Sequence, residues 1–245
     1  MQHDYTRIAC TTCGDIIDVP IFCGDRFCPV CSVVRKSRIR NRLFWLIANC
    51  PKDPADRFRH LTLTISSQAD LPAMIKKLLA SFRKLRQRAW WKQKVNGGAF
   101  VIEVTGHPGA WHAHIHAIVY GRWMQWDHLL KLWKAVSGGI GVYVSHIPEA
   151  AAVGYLTKYL TKPDCPDLVA ADIAEGLKGV RMFSVFGSWH KLNLTYVKPK
   201  HPCEKCGGEF WCNYDILAGN YPKTYSKDFD ISPRSHPPNE KPDDS

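Results

Sequence analysis

The hydrophobic and polar positions between residues 59 and 197 alternate with two different periods. Segments rich in β-branched and apolar residues repeat every second position, which is typical of half-buried strands. We predict strands at 59–65, 99–105, 111–120 and 141–147, and one or two more around 180–197. A Gly-Pro loop separates the second strand from the third, so these two should form an antiparallel hairpin.

Three other segments repeat their apolar positions about every 3.6 residues, as helices do. They predict helices at 70–91, 126–136 and 148–162. Asp70 is placed to cap the first of these helices, and Pro163 would end the last. The order βα, ββ, αβ, α favours an α+β fold in which an open antiparallel sheet packs helices against one face.

The cysteine spacing near the start of the chain indicates a zinc-binding module. Cys10 and Cys13 form one Cys-x-x-Cys pair, and Cys28 and Cys31 form a second pair fourteen residues later. Two such pairs can supply four thiolates to one tetrahedral Zn²⁺. Cys23 would then be a spare thiol or a replacement ligand. The alternative is a set of reduced structural cysteines.

A second cysteine-rich segment follows the predicted sheet. A second zinc there would use His201, Cys203, Cys206 and Cys212, a weaker pattern because it contains only one Cys-x-x-Cys pair. Beyond residue 225 the chain is rich in Pro and Ser and is expected to be disordered. We therefore predict a zinc module with a basic helix at 1–50, a catalytic domain at 51–198, a cysteine-rich segment at 199–225 and a tail at 226–245.

Composition and charge narrow the function. The 245 residues are 45% hydrophobic and 22% charged, which is typical of a globular protein. The longest apolar run, 43–48, is far too short to cross a bilayer, and the first residues lack a signal-peptide pattern. We expect a cytoplasmic protein without a membrane partner.

The formal net charge of +11 is unevenly distributed. Eight cations and no acid lie between Leu71 and Ile102, and five more cations lie at 35–42. Concentrated positive charge attracts a polyanion, and counterion release makes nucleic acid the expected partner.

The segment WHAHIHAIVY carries the first candidate chemistry. Strand alternation puts His112, His114 and His116 on one face and small or apolar residues on the other. If the hairpin loop runs from 106 to 111, Glu103 lies opposite His114. Glu103, His114 and His116 then form a two-His, one-carboxylate site suited to Mg²⁺ or Mn²⁺, with His112 as a further candidate ligand. The alternative is that Glu103 is a solvated strand residue.

The segment GYLTKYLTK carries the second set of candidate catalytic residues. Tyr155, Lys158, Tyr159 and Lys162 are spaced i, i+3, i+4 and i+7, so a helix presents two phenols and two ammoniums on one face. A phenol can attack phosphate, and a neighbouring ammonium stabilises the developing negative charge. The alternative is an amphipathic surface helix whose tyrosines only pack.

These motifs together resemble the HUH endonucleases, in particular the rolling-circle replication initiators of plasmids and phages. The likeness covers residues 59–165: the LTLT strand at 61–64, the EVT segment at 103–105, the HIH motif at 114–116 and the YLTKYLTK helix. The FCPVC segment at 27–31 is also similar to that of some plasmid initiators and two-tyrosine transposases. The resemblance implies single-strand nicking at an origin, a covalent 5′-phosphotyrosine and a free 3′-hydroxyl for a DNA polymerase.

The subclass depends on the residues before the tyrosines. One-tyrosine initiators usually carry a Glu four residues before the nucleophile, whereas this chain has Tyr155 before Tyr159 and Ala151 before Tyr155. The two-tyrosine type fits better, with a slight preference for Tyr155 as the first nucleophile. The length leaves no room for a helicase domain, so a host helicase would open the duplex.

Three other functions remain open at this point. A two-tyrosine transposase would use the same chemistry, whereas a noncatalytic zinc-ribbon regulator would use the HIH strand only structurally. A two-His, one-carboxylate iron oxygenase would need a β-sandwich or barrel.

Overall fold

The computed structural model describes residues 4–23, 25, 27–160, 167–181, 183–192, 202–209 and 211–213. Contacts divide these residues into two units, one of residues up to 31 together with those from 202 onward, the other of residues 32–192. The two cysteine-rich segments therefore share one unit. The sequence analysis assigned them to separate parts of the chain, with domain boundaries at 50 and 198. The predicted tail at 226–245 lies outside the described residues.

The strands and helices follow in chain order. The strands are β1 (Tyr5–Cys10), β2 (Ile16–Pro20), β3 (Arg57–Thr64), β4 (Val95–His107), β5 (Ala110–Gly121), β6 (Gly141–His146), β7 (Phe183–Gly187) and β8 (Trp211–Asn213). The helices are α1 (Pro29–Asn49), α2 (Leu71–Gln87), α3 (Ala89–Lys94), α4 (Trp126–Ser137), α5 (Glu149–Thr157) and α6 (Asp167–Gly176). Short 3-10 helices follow at Lys158–Leu160 and Ser188–Lys191.

The larger unit is built on a five-stranded sheet in the order β6-β3-β5-β4-β7. All of its neighbouring strands are antiparallel, so the predicted α+β fold with an antiparallel sheet is confirmed. The hairpin of β4 and β5 pairs from Val95 to His107, which is longer than the predicted strands. No β-sandwich or barrel is found in the described part of the chain, which argues against the oxygenase alternative.

Helix α2 covers one face of this sheet. The Asp70 carboxylate accepts a hydrogen bond from the Ala73 N–H at 2.9 Å, which caps the first turn as predicted. Buried residues recur at helical spacing along α2, and Phe82 packs edge-on against Phe100 and Phe186 on the sheet. Full burial of such a side chain contributes roughly 1.5–3 kcal/mol. Helix α2 ends at Gln87 because Arg88 is extended, so the predicted helix 70–91 is divided in two.

The opposite face of the sheet is also covered by helices. Leu46 of α1 and Val153 and Leu156 of α5 join a buried cluster with Ile118 and Trp189. The sequence analysis expected helices on one face only, from the order of the elements. The other face carries histidines over part of β5 and apolar residues over the rest. Helices α1 and α5 cover the apolar half of that face, around Ile118 and Tyr120.

The smaller unit contains a three-stranded antiparallel sheet in the order β2-β1-β8. Ile8, Cys10, Cys203 and Trp211 form its buried centre. Strand β8 pairs with β1, which is why the second cysteine segment belongs to the same unit as the first.

No helix in the described part of the chain combines the length and hydropathy that a membrane crossing requires.

Candidate active site and cysteine clusters

The register of the β4–β5 hairpin places Glu103 beside the histidines. Glu103 lies opposite His114, and Thr105 lies opposite His112. The carboxylate of Glu103 reaches diagonally to His116, where its Oε2 lies 2.8 Å from Nε2. Because His116 is only 6% exposed, this contact lies at the edge of the buried core.

Two threonines of β3 orient the imidazoles. The Thr62 hydroxyl lies 3.1 Å from Nδ1 of His116, and the Thr64 hydroxyl lies 3.0 Å from Nδ1 of His114. Nε2 of His114 therefore lies on the side of its ring away from Thr64, whereas Nε2 of His116 contacts the Glu103 carboxylate. Such hydrogen bonds on the far nitrogen are the usual support of metal-binding histidines.

The donor chemistry of Glu103, His114 and His116 fits a hard or borderline divalent cation. Within the described residues, however, only cysteine sets place three or more ligand atoms within 4.8 Å of one another. Glu103 and His116 are already in contact, and a side-chain rotation would have to bring the third ligand in. The hydrogen bond from His116 and the nearby charges of His116, His114 and Lys158 hold the pKa of Glu103 below its usual value, against the effect of burial.

His60 is a site residue that the sequence analysis missed. Its Nε2 lies 3.4 Å from Nδ1 of His116, and the two rings are stacked with centroids 5.6 Å apart. Burial, followed by the charges of His116 and Lys158, lowers the pKa of His60 to about 4. The sequence carried part of the signal, because His60, Thr62 and Thr64 alternate along β3 and therefore share one face. Only the pairing of β3 with β5 shows that this face also carries the HIH motif.

His112 lies apart from this group. Its Nδ1 is 3.0 Å from the Ser67 hydroxyl, and the residue is half-buried. The structure therefore does not bring His112 to Glu103, although the two share a face.

The tyrosine segment packs directly over the histidines. The Tyr159 ring lies parallel to the His116 ring at 6°, with centroids 3.5 Å apart. The Tyr155 ring is 5.3 Å from that of His60. This placement follows from α5, because Val153 and Leu156 face the core and turn the tyrosines toward the histidines.

Lys158 lies between the two phenols. Its Nζ is 4.9 Å from the Tyr155 ring centroid and 4.8 Å from that of Tyr159. The predicted helix 148–162 ends as an α-helix at Thr157 and continues as a 3-10 turn to Leu160. Lys162 lies outside the described residues; among those described, Lys158 lies over both tyrosine rings.

The cysteines group differently from the prediction. The structure unites Cys10 and Cys13 with Cys203 and Cys206, and separates them from Cys28 and Cys31. The reason is the pairing of β1 with β8, a contact between segments almost 200 residues apart. Cys212 lies in β8, but the structure does not describe its side chain, and His201 is not among the described residues.

The other cysteine set consists of Cys23, Cys28 and Cys31. The Cys23 and Cys31 sulfurs are 3.6 Å apart, and the Cys31 N–H donates to the Cys28 sulfur. Cys23, which the sequence left as a spare or a replacement, thus lies with the predicted second pair.

Fold and site together define an α+β protein in which an antiparallel sheet presents a carboxylate and imidazoles beside two tyrosines. Residues 16–123 match the sequence model of a family described as replication proteins. The chain is also 31% identical over 103 residues to a protein named Protein rep from Streptococcus pneumoniae serotype 2. The resemblance to rolling-circle replication initiators is confirmed by these comparisons. No solved structure matches the chain.

Both matches cover only part of the chain. The alignment with the pneumococcal protein covers 40% of this chain and 32% of the relative. The family match includes Glu103, His114 and His116 but ends at residue 123, before the tyrosine segment. A catalytic role for Tyr155 and Tyr159 is therefore supported by their positions in this structure and not by the family match.

Proposed function

We propose that this protein is a replication initiator of the HUH type, which nicks single-stranded origin DNA through a tyrosine and so starts rolling-circle replication. The observation that carries the proposal is the position of His116, which contacts the Glu103 carboxylate and the Tyr159 ring at the same time. A nucleophile is thereby placed next to a set of cation ligands. Surface packing alone would give no reason for that arrangement.

The reaction is a transesterification. The phenol oxygen of a tyrosine bonds to the scissile phosphorus, and the bond from phosphorus to the 3′ oxygen breaks. The phenol proton is lost and the leaving 3′ oxygen gains one, which gives a 5′-phosphotyrosine and a free 3′-hydroxyl. No water or cofactor is consumed, so the reverse reaction can rejoin the strand.

Glu103, His114 and His116 would hold the catalytic cation, Mg²⁺ or Mn²⁺. When bound, it would act as a Lewis acid on the scissile phosphate. Thr62 and Thr64 keep the two imidazoles in orientation through Nδ1, and Lys158 supplies positive charge between the two phenols.

Both tyrosines are placed to act. Tyr159 is stacked on His116, whereas Tyr155 is 36% exposed and lies over His60. This arrangement suits alternating transfers, in which one phenol holds the 5′ end while the other cuts the regenerated origin. The sequence-based preference for Tyr155 as the first nucleophile stays a prediction.

Helix α1 would guide the DNA strand to the site. The five cations at 35–42 lie on α1, whose later residues pack on the same sheet face as the histidines. Lysine and arginine contacts to phosphate supply sequence-independent affinity. A host helicase and a DNA polymerase would complete replication in the cytoplasm.

Two alternatives from the sequence remain. A noncatalytic regulator would leave the contacts of His116 with Tyr159 and with Glu103 without a role. A transposase would use the same chemistry on a different DNA, and a substrate test rather than the site distinguishes it from an initiator.

The proposal is tested with a labelled single-stranded oligonucleotide that contains the origin and with Mn²⁺. The wild-type chain should cleave it and remain attached to one product on a denaturing gel, and EDTA should stop both. The double variant His114→Ala, His116→Ala should bind DNA without cleaving it. His112→Ala is the matched control, since that ring bonds Ser67 instead. Undiminished cleavage by the double variant would overturn the metal assignment.

A further inference from the structure

Four sulfur atoms from two distant segments of the smaller unit converge on one point. The Cys10 and Cys206 sulfurs are 3.6 Å apart, and those of Cys13 and Cys203 are 3.7 Å apart. All four ligand atoms lie within 4.8 Å of one another. A tetrahedron with Zn–S bonds of about 2.3 Å has sulfur–sulfur edges of about 3.8 Å, which these distances approach.

The two segments have the same backbone conformation. In the first, the Gly14 N–H donates to the Cys10 carbonyl and the Cys10 N–H donates to the Asp15 carbonyl. In the second, the Gly207 N–H donates to the Cys203 carbonyl and the Cys203 N–H donates to the Gly208 carbonyl.

The glycines in these turns have a physical reason. Gly14 and Gly207 have φ angles of 74° and 71°, a conformation that suits glycine. Each Cys-x-x-Cys-Gly segment is therefore a turn that directs two sulfurs to the same side. Two copies of one turn facing each other form a four-thiolate cage.

The donor set of the cluster fits Zn²⁺. Four sulfurs this close together repel one another as thiolates, and a divalent cation at their centre offsets that repulsion. Zn²⁺ binds four cysteine thiolates in tetrahedral geometry in structural sites.

We propose that Cys10, Cys13, Cys203 and Cys206 bind a single structural Zn²⁺ that holds the 203–206 segment to strand β1. Cys203 and Cys10 are buried in the centre of this small unit beside Ile8 and Trp211. The buried apolar cluster among the described residues of this unit is small, and metal binding would add to the folding free energy that it provides.

The wild-type protein tests this directly. Full-length protein, purified without chelator, is alkylated with N-ethylmaleimide before and after EDTA treatment, and the modified cysteines are mapped by mass spectrometry. Cys10, Cys13, Cys203 and Cys206 should be protected at first and become reactive together. Reaction of Cys203 and Cys206 at the same rate with and without EDTA would overturn the proposal.

Paired substitutions give a second test that separates the two groupings. C10S/C13S and C203S/C206S should each lose one equivalent of zinc, and the variant with all four substitutions should lose no more than either pair. C28S/C31S should retain this equivalent, and Cys50→Ser, a change at a buried thiol of the larger unit, is the control for folding. If C203S/C206S retains all zinc while C10S/C13S and C28S/C31S lose the same equivalent, the sequence-based grouping is correct.

A second inference concerns Tyr143 and rests on the proposed function. Thr62 pairs with His116 on one side and with Tyr143 on the other, so the three lie in one row across the sheet and on one face. Tyr143 is 57% exposed, and its ring lies 6.0 Å from that of His60. Tyr155 is also exposed, and its ring lies 5.3 Å from that of His60.

We infer that Tyr143 stacks on a base of the single-stranded DNA that enters the site. An exposed ring on an edge strand, in the same row as a catalytic histidine, is placed to hold a nucleotide near the scissile phosphate. Stacking of one base on an aromatic side chain contributes about 1–3 kcal/mol and tolerates any base.

The test separates binding from cleavage. Fluorescence anisotropy with labelled oligo-dT should show a Kd increased about 5- to 150-fold for Tyr143→Ala and little changed for Tyr143→Phe. Nicking at limiting DNA should fall for Tyr143→Ala in proportion to its weaker binding. An unchanged Kd for Tyr143→Ala overturns this inference. If the wild type binds DNA in this assay but never cleaves an origin strand, the proposed function fails while the stacking role stands.

Discussion

His116 and Tyr159 lie face to face, with ring centroids 3.5 Å apart and planes 6° from parallel. Nε2, on the edge of the same imidazole, lies 2.8 Å from the Glu103 carboxylate. One buried ring thus contacts both a phenol and a carboxylate at the edge of the core.

The tyrosines can be tested by removing their hydroxyls. Tyr155→Phe and Tyr159→Phe keep the ring contacts with His60 and His116, so the fold and DNA binding should be unchanged. The double variant should form no covalent adduct with origin DNA on a denaturing gel, and each single variant should retain part of the activity. An adduct in the double variant would place the nucleophile elsewhere. Loss of cleavage and joining in only one single variant would indicate a one-tyrosine mechanism.

His60 should act as a positioning residue for His116. His60→Ala removes a stacked neighbour of that ring, so its orientation toward Glu103 should be less well defined. We expect nicking at saturating DNA to fall about 10- to 100-fold, the range found for residues that support metal ligands. His112→Ala should keep near wild-type activity. A changed KM with an unchanged kcat for His60→Ala would contradict a positioning role.

Two glycines of the larger unit should respond to alanine in opposite directions. A Cβ on Gly98 would lie 2.2 Å from the Ile118 carbonyl oxygen, whereas one on Gly154 would have nothing within 4 Å. Gly98→Ala should therefore lower the free energy of unfolding by about 1–3 kcal/mol. Gly154→Ala, in helix α5, should raise it by about 0.5–1 kcal/mol. Urea unfolding followed by circular dichroism measures both free energies. Equal changes in the two variants would contradict the close approach of Gly98 in β4 to the Ile118 carbonyl.

The cations of α1 should determine how DNA binding depends on salt. Lys36→Gln and Arg40→Gln remove charges within the basic segment 35–42. If each cation contacts one phosphate of a single strand, the slope of log K against log salt should become shallower by about 0.7 for each substitution. Lys178→Gln, at an exposed lysine paired with Glu175, is the control. An unchanged slope for both α1 variants would place the DNA on another surface.

The sequence determined the features that depend on near neighbours. Period-two alternation and the short loop fixed the register of β4 and β5, which puts Glu103 opposite His114. Helical spacing likewise put Tyr155 and Tyr159 on one side of the helical segment formed by α5 and the 3-10 turn that follows it. Each Cys-x-x-Cys-Gly segment specified its own turn. These are consequences of backbone geometry over a few residues, so they can be inferred without knowing what packs where.

Only the tertiary structure decided which of these local features meet. His60 joined the site because β3 pairs with β5 across fifty residues of sequence, and nothing in its own segment identifies that partner. Cys10 and Cys13 met Cys203 and Cys206 rather than Cys28 and Cys31 because β8 pairs with β1. A local pattern gives the direction in which a side chain points, but strand pairing between distant segments depends on the sum of many weak contacts in the whole fold.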